Sequence, residues 1–256
     1  MRIQKTNIIH NDPWQSLRAF TNARIALGRT GNAMPLDAIL QIKLAHAHAR
    51  DAVYSQLKTT ELLNELQPLT EVIVVVESMI ISRSQYLKRP DLGRILSNES
   101  IEKINQLNNN LKGISIVLAD GLSAKAINKH ALPVLQHLLP LLYKSGYEIL
   151  PVCLATQARV ALGDHIGSLL KADLTLMLIG ERPGLTSPES MSAYITYQPM
   201  QGRTDECRNC ISNIRPEGLH YNLAAEKIFY LVQQSLRLQL SGTMLKDDQH
   251  ILPVLT

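Results

Sequence analysis

Three apolar runs are separated by segments of helical periodicity: Ile114-Ser115-Ile116-Val117-Leu118-Ala119, residues 147–154, and Leu174-Thr175-Leu176-Met177-Leu178-Ile179. A strand that is apolar at nearly every position must be covered on both faces. Helices placed between such strands cover them and give a parallel sheet. The chain is therefore expected to be α/β, with a mainly parallel, Rossmann-like sheet and helices on both faces. Residues 122–143 read as one covering helix, interrupted near Pro133, and residues 163–171 as a second. Residues 193–197 suggest a fourth strand. Residues 224–238 read as an amphipathic closing helix through Ile228, Leu231, Val232 and Ser235.

The first part of the chain reads as mostly helical. Asp12-Pro13-Trp14 has the form of a helix start, with Asp as cap and Pro at the first helical position. Pro35 opens a helix in which Leu36, Leu40, Leu44 and Ala47 share one face. Residues 72–76 are β-branched and suggest one strand, and residues 86–94 form a charged loop with a Pro-Asp turn signal. Residues 98–110, rich in Asn, are the one loose stretch. The expected division is a helical N-terminal region, 1–97, and an α/β domain, 98–256.

With 256 residues, of which 45% are hydrophobic, the chain can build a sizeable core. A net charge of +4, no Lys/Arg run longer than two and 4% aromatics argue against a nucleic-acid partner. No apolar stretch approaches the roughly 20 residues of a membrane helix, and residues 1–12 lack a signal-peptide core. A cytoplasmic protein is expected, and the three cysteines, Cys153, Cys207 and Cys210, fit a reducing compartment.

In a parallel sheet, ligands gather beyond the carboxyl ends of the strands. That rule selects Asp120-Gly121, residues 155–160 and Gly180-Glu181-Arg182, all on one rim. Asp120-Gly121-Leu122-Ser123 is either a phosphate cradle at a helix N-terminus or a plain turn with Ser123 as cap. Glu181 beside Arg182 is either a salt bridge or a ligand-facing acceptor on a stiff Pro183-Gly184 turn. Cys207-Arg208-Asn209-Cys210 is a C-x-x-C, open to redox, zinc or two unpaired thiols in a loop, the last being the leading reading; zinc needs four ligands, usually from a second pair. His46 and His48 diverge by about 200° on a helix and make no metal pair. His165 and His220 read as surface or capping residues.

Ala23-Arg24-Ile25-Ala26-Leu27-Gly28-Arg29, residues 86–94, Asp120-Gly121-Leu122-Ser123, Gly180-Glu181-Arg182-Pro183-Gly184-Leu185 and Cys210-Ile211-Ser212-Asn213-Ile214-Arg215 occur in this order. Together they resemble the small (light) subunit of ethanolamine ammonia-lyase, over roughly residues 12–238. The resemblance implies a carbon–nitrogen lyase that converts ethanolamine to acetaldehyde and ammonia by a radical route with adenosylcobalamin. It implies a large catalytic subunit that holds ethanolamine, in a hetero-oligomer of six copies of each chain. The cofactor contacts it implies here are Val160, Glu181 and Cys210, with no catalytic residue and no metal ligand from this chain. Asp164-His165-Ile166-Gly167 departs from the D-x-H-x-x-G of histidine-ligated cobalamins, so the cofactor's own base is expected on cobalt.

Members of the family packaged in a bacterial microcompartment can carry a longer N-terminal extension. Eleven residues precede Asp12 here, so packaging is no more expected than a plain cytoplasmic location. Residues 23–29 and 88–94 are expected to contact the large subunit, since arginine's planar fork suits interfaces; salt bridging between these two segments is the competing reading. Two other functions stand beside the resemblance: a free-standing nucleotide or redox protein using the C-x-x-C, and a regulatory partner with no ligand of its own.

Overall fold

A computed structural model describes residues 9–107 and 111–248. A 310 turn, Gln15–Phe20, leads through an extended segment into α1 (Leu36–Val53) and α2 (Thr59–Leu66). Then come β1 (Ile73–Glu77), α3 (Arg83–Lys88), a 310 turn Leu92–Arg94 and α4 (Asn98–Gln106). The alternating part follows with β2 (Ile114–Ala119), α5 (Ala124–Lys144), β3 (Val152–Thr156), α6 (Leu162–Leu169) and β4 (Leu174–Gly180). It ends with β5 (Met191–Tyr197), β6 (Asn209–Ile214) and α7 (Tyr221–Leu238).

The six strands form one sheet in the order β1-β3-β2-β4-β5-β6. The first four are parallel, and β5 and β6 add an antiparallel wing. The α/β expectation holds, and β2 and β4 fall within one residue of the apolar runs that announced them. Alternate residues of β2 point to opposite faces, as a strand requires. Ile114, Ile116 and Leu118 join one apolar cluster with α2, α5 and α7. Val117 and Ala119 join a second with α4 and α6.

Four expectations need correction. Helix α5 runs unbroken through Pro133 and Pro140. A mid-helix proline forfeits a hydrogen bond and costs about 3 kcal/mol, but Ala131, Val134, Leu135, Leu138, Leu139 and Leu142 on both sides are buried. Each buried Val or Leu among them returns about 1.5–3 kcal/mol. Residues 98–106 of the loose stretch are helix α4, because the Ser97 hydroxyl accepts the Ser100 amide as N-cap and Ile104 is buried; Asn108, Asn109 and Asn110 lie outside the described residues. Ser123 holds the N-cap position of α5 without a cap bond, its hydroxyl donating instead to the Pro188 carbonyl at 3.2 Å. The loop expected around Cys210 is strand β6.

The N-terminal region packs differently. Helix α1 buries Ala38, Ala45 and Ala52, and its Leu36, Leu40 and Leu44 face outward. Strand β1, from the same part of the chain, completes the sheet beside β3. No helix among the described residues is long and apolar enough to cross a membrane.

Candidate functional site

The carboxyl ends of β2, β3 and β4 meet on one rim, and their loops are locked together. The buried Asp120 carboxylate accepts the Gln157 amide at 2.8 Å and the Ala158 amide at 3.0 Å. Arg83 approaches the same carboxylate at 3.5 Å. Burial pushes this carboxyl up from the ordinary range, and the two amides and Arg83 pull against that. Tyr86 is buried between two guanidinium groups, Arg83 at 4.3 Å and Arg159 at 4.0 Å from its ring centre. Its hydroxyl donates to the Ala158 carbonyl. Residues 83–94 therefore serve the rim from within as well as carrying charge outside.

The point where the chain reverses its progress across the sheet lies between β2 and β4. There Gly121, at φ +55°, lets Leu122 donate to the Gly180 carbonyl at 3.0 Å. A Cβ on Gly121 would meet that oxygen at 2.3 Å. The crevice is closed by backbone, which disfavours a phosphate cradle at Asp120-Gly121-Leu122-Ser123 and leaves the turn reading.

The open surface is on the antiparallel wing. Odd-numbered residues at the end of β4 point toward α6, as Met177 and Ile179 show. Glu181 continues that face. Its Oε1 accepts from the Ser192 hydroxyl and from the Asn213 amide at 2.9 Å. Asn213 sits at φ +61° where β5 and β6 slip register, and this turns its amide toward Glu181. No bond between Glu181 and Arg182 forms among the described residues, so the carboxylate is not spent on its neighbour.

Cys210 lies directly opposite Tyr194 in the β5–β6 pairing. The residue is exposed at the sheet edge, while its sulfur rests against Tyr194 and Ser192. Burial, with the Glu181 carboxylate adding to it, holds the thiol above its ordinary range against the pull of those two partners. Val160, two residues before α6, packs on the same apolar cluster as Tyr194. All three residues singled out, Val160, Glu181 and Cys210, thus occupy the α6 side of the sheet, with Tyr194 and Ser192 between them. A groove of about 580 Å³ runs along β6 past Cys210, Ile211 and Leu231.

Strand β6 is held by a buried ion pair. Arg208 bonds Asp164 of α6, with both side chains almost fully enclosed, and also Asp205 at 2.7 Å. The Asn209 side chain stitches the strand to Gly242 and Leu245 through three hydrogen bonds. Sequence reasoning missed Ser192, Tyr194 and Asn213. The first two were accessible, because alternation along residues 191–197 sets Ser192, Tyr194 and Thr196 on one face. Asn213 carried no signal, since its role is a backbone amide aimed by a local bulge.

The remaining motifs resolve more simply. Cys207 and Cys210 are free thiols with different neighbours, Thr204 for the first and Tyr194 for the second. No metal-binding cluster of His, Cys, Asp and Glu exists among the described residues. His220 is exposed and occupies the N-cap position of α7, as expected. His165 is not a surface residue: it is buried, and its Nδ1 accepts the Leu96 amide at 3.3 Å. No ion pair joins residues 23–29 to residues 88–94 among the described residues. Arg24 donates instead to the Leu185 carbonyl at 3.2 Å, and Arg89 pairs with Asp91.

The fold and this face define an α/β chain with an acceptor carboxylate at its sheet edge and exposed leucines on its N-terminal helix. A sequence model of the ethanolamine ammonia-lyase light chain family matches residues 11–246. Similar chains include ethanolamine ammonia-lyase small subunits of Pseudomonas putida (strain W619), 46% identical over 94% of this chain and 89% of the relative, and Pseudomonas fluorescens (strain Pf0-1), 44% identical over 97% and 92%. The corresponding subunit of Xanthomonas campestris pv. campestris (strain B100) is 46% identical over 93% and 88%. This chain belongs to the ethanolamine ammonia-lyase small-subunit family.

Proposed function

We propose that the chain is the small subunit of an adenosylcobalamin-dependent ethanolamine ammonia-lyase and contributes one side of the cobalamin site, the large subunit closing the other and holding ethanolamine. The observation that carries this reading is a family match over nearly the whole chain, joined to the convergence of Glu181 and Cys210 on one face.

The donor chemistry fits the group. A corrin ring is an apolar disc rimmed by amide side chains. Glu181 commits Oε1 to Ser192 and Asn213, and its other oxygen, without a hydrogen bond among the described residues, is left to accept an amide N–H. Val160, the Tyr194 ring and the poorly ionised Cys210 thiol offer an apolar bed. The bound cofactor supplies the homolysis and hydrogen abstraction of the reaction; this chain supplies position. His165 is buried with its Nδ1 accepting the Leu96 amide, so this residue would not be the one to ligate cobalt.

The free-standing redox reading is weaker. A reactive cysteine needs a depressed pKa, and the Cys210 thiol is displaced the other way.

Attachment to the large subunit falls to the N-terminal region, residues 1–97 in our division. Phe20 is 85% exposed, and Leu36, Leu40 and Leu44 are 70%, 56% and 58% exposed. So much clustered apolar surface marks an interaction site. The deciding experiment is co-expression with the large subunit, followed by cobalamin titration and an acetaldehyde assay. Glu181→Ala should weaken cobalamin binding at least severalfold with assembly intact; unchanged affinity would remove Glu181 from the site. Arg24→Ala should reduce co-purification while the chain stays folded.

A further inference from the structure

A pocket of about 430 Å³ opens beside the start of α6, lined by Asp91, Arg94, Ala161, Arg203, Thr204 and Asp205 among others. Its charges are unevenly matched. Asp91 is paired with Arg89 at 2.6 Å and Asp205 with Arg208 at 2.7 Å, each by an arginine that does not line the pocket. Arg94 and Arg203 make no ion pair among the described residues. Arg203 is braced by its Nε donating to the Gln198 carbonyl at 2.9 Å, and its charge also pulls the Asp164 carboxyl down. The Thr204 hydroxyl and Gln201 amide add neutral donors. Arg94 and Arg203 thus line the pocket without an ion pair among the described residues, beside Asp91, which Arg89 offsets, and Asp205, which shares Arg208 with Asp164; the arginines outnumber the carboxylates by one, which favours an anion.

Its position matters as much as its charge. Ala161 follows Val160 directly, and the Asp205 carboxylate is close enough to Tyr194 to raise its hydroxyl's pKa. The pocket therefore neighbours the Val160–Tyr194–Cys210 face at Ala161. A cobalamin carries one fixed anion, the phosphodiester in the nucleotide loop that hangs from its corrin ring. We propose that Arg94 and Arg203 form a phosphodiester subsite for the cofactor bound on that face. This rests on the cobalamin reading above and adds to it the residues that would distinguish a complete cobalamin from a truncated corrinoid.

The test uses the complex assembled with the large subunit. Cyanocobalamin and cobinamide, which lacks the nucleotide loop and its phosphate, are titrated by absorbance against wild type and the double variant Arg94→Met/Arg203→Met. The variant should bind cyanocobalamin about 10- to 100-fold more weakly, the scale of lost charge-assisted hydrogen bonds, and cobinamide as wild type does. Arg94→Lys/Arg203→Lys should recover much of the loss. Inorganic phosphate should weaken cyanocobalamin binding to wild type and leave cobinamide unaffected.

Unchanged cyanocobalamin affinity, or an equal loss for both corrinoids, overturns the proposal. So does phosphate binding that leaves cyanocobalamin affinity intact, which would make this a free-phosphate site. Loss of subunit association in the methionine variant would assign the pocket to an acidic segment of the large subunit instead. If wild-type complex binds neither corrinoid, the cobalamin reading itself falls and takes the subsite with it.

Discussion

Helices α1 and α5 are both long and Leu-rich, and they end in opposite surroundings. In α5 ten side chains are buried between the sheet and α7. In α1 only Ala38, Ala45 and Ala52 are buried, where the helix leans on α5, and the leucines look outward. Periodicity states that a helix has an apolar face and says nothing of what covers it. For α5 the chain covers the face itself; for α1 it does not, and the family assignment points to another chain as the cover.

The sharpest way to break this contrast lies in the self-covered half. Arg208→Met should destabilise the isolated chain by about 3–5 kcal/mol, because Asp164 is left buried without its partner. Burial already raises the Asp164 carboxyl, and Arg208 opposes that. Without Arg208 its folded pKa climbs further above the unfolded value. The penalty is then complete above the folded pKa and shrinks as pH falls through it toward the unfolded one. Urea denaturation at several pH values reads this; a deficit independent of pH would mean the pair is not what holds β6.

Leu135→Ala, at a fully buried position of α5, should cost about 2–5 kcal/mol. Leu40→Ala, on the outer face of α1, should cost the chain under about 0.5 kcal/mol and weaken its association with the large subunit roughly tenfold. Equal thermal destabilisation by the two substitutions would erase the distinction between the helices. The smallest effect concerns thiols: with a native-state thiol reagent at pH 8, Cys153, buried and pushed up to about 12, should stay silent, and Cys210 should react more slowly than Cys207. Faster modification of Cys210 would show its sulfur to be free of Tyr194 and Ser192.

What was legible follows from where the forces act. Strands β2 and β4 are apolar at nearly every position, so their limits could be read almost to the residue. The rim at Val160 and Glu181 followed from strand direction alone. Strand β6 could not be read, since Asn209, Ser212 and Asn213 carry no strand preference and the strand exists because β5, Asp164 and residues 242–245 hold it. Pro133 misled for the reverse reason, local chemistry being outweighed by tertiary burial. His165 hid in the same way: nothing near it in sequence announces the Leu96 amide it accepts. Cys210 was singled out by resemblance, and only its pairing with Tyr194 gives that choice a physical setting.

The hydrogen bond from Arg24 to the Leu185 carbonyl links two distant parts of the chain. It ties the segment assigned to partner docking to the turn that follows Glu181. If docking steadies that turn, each large subunit bound tightens the cofactor, and by reciprocity the cofactor tightens the grip between subunits by the same factor. A subunit exchange rate that slows when cobalamin is added, and slows less in Arg24→Ala, would measure that coupling directly.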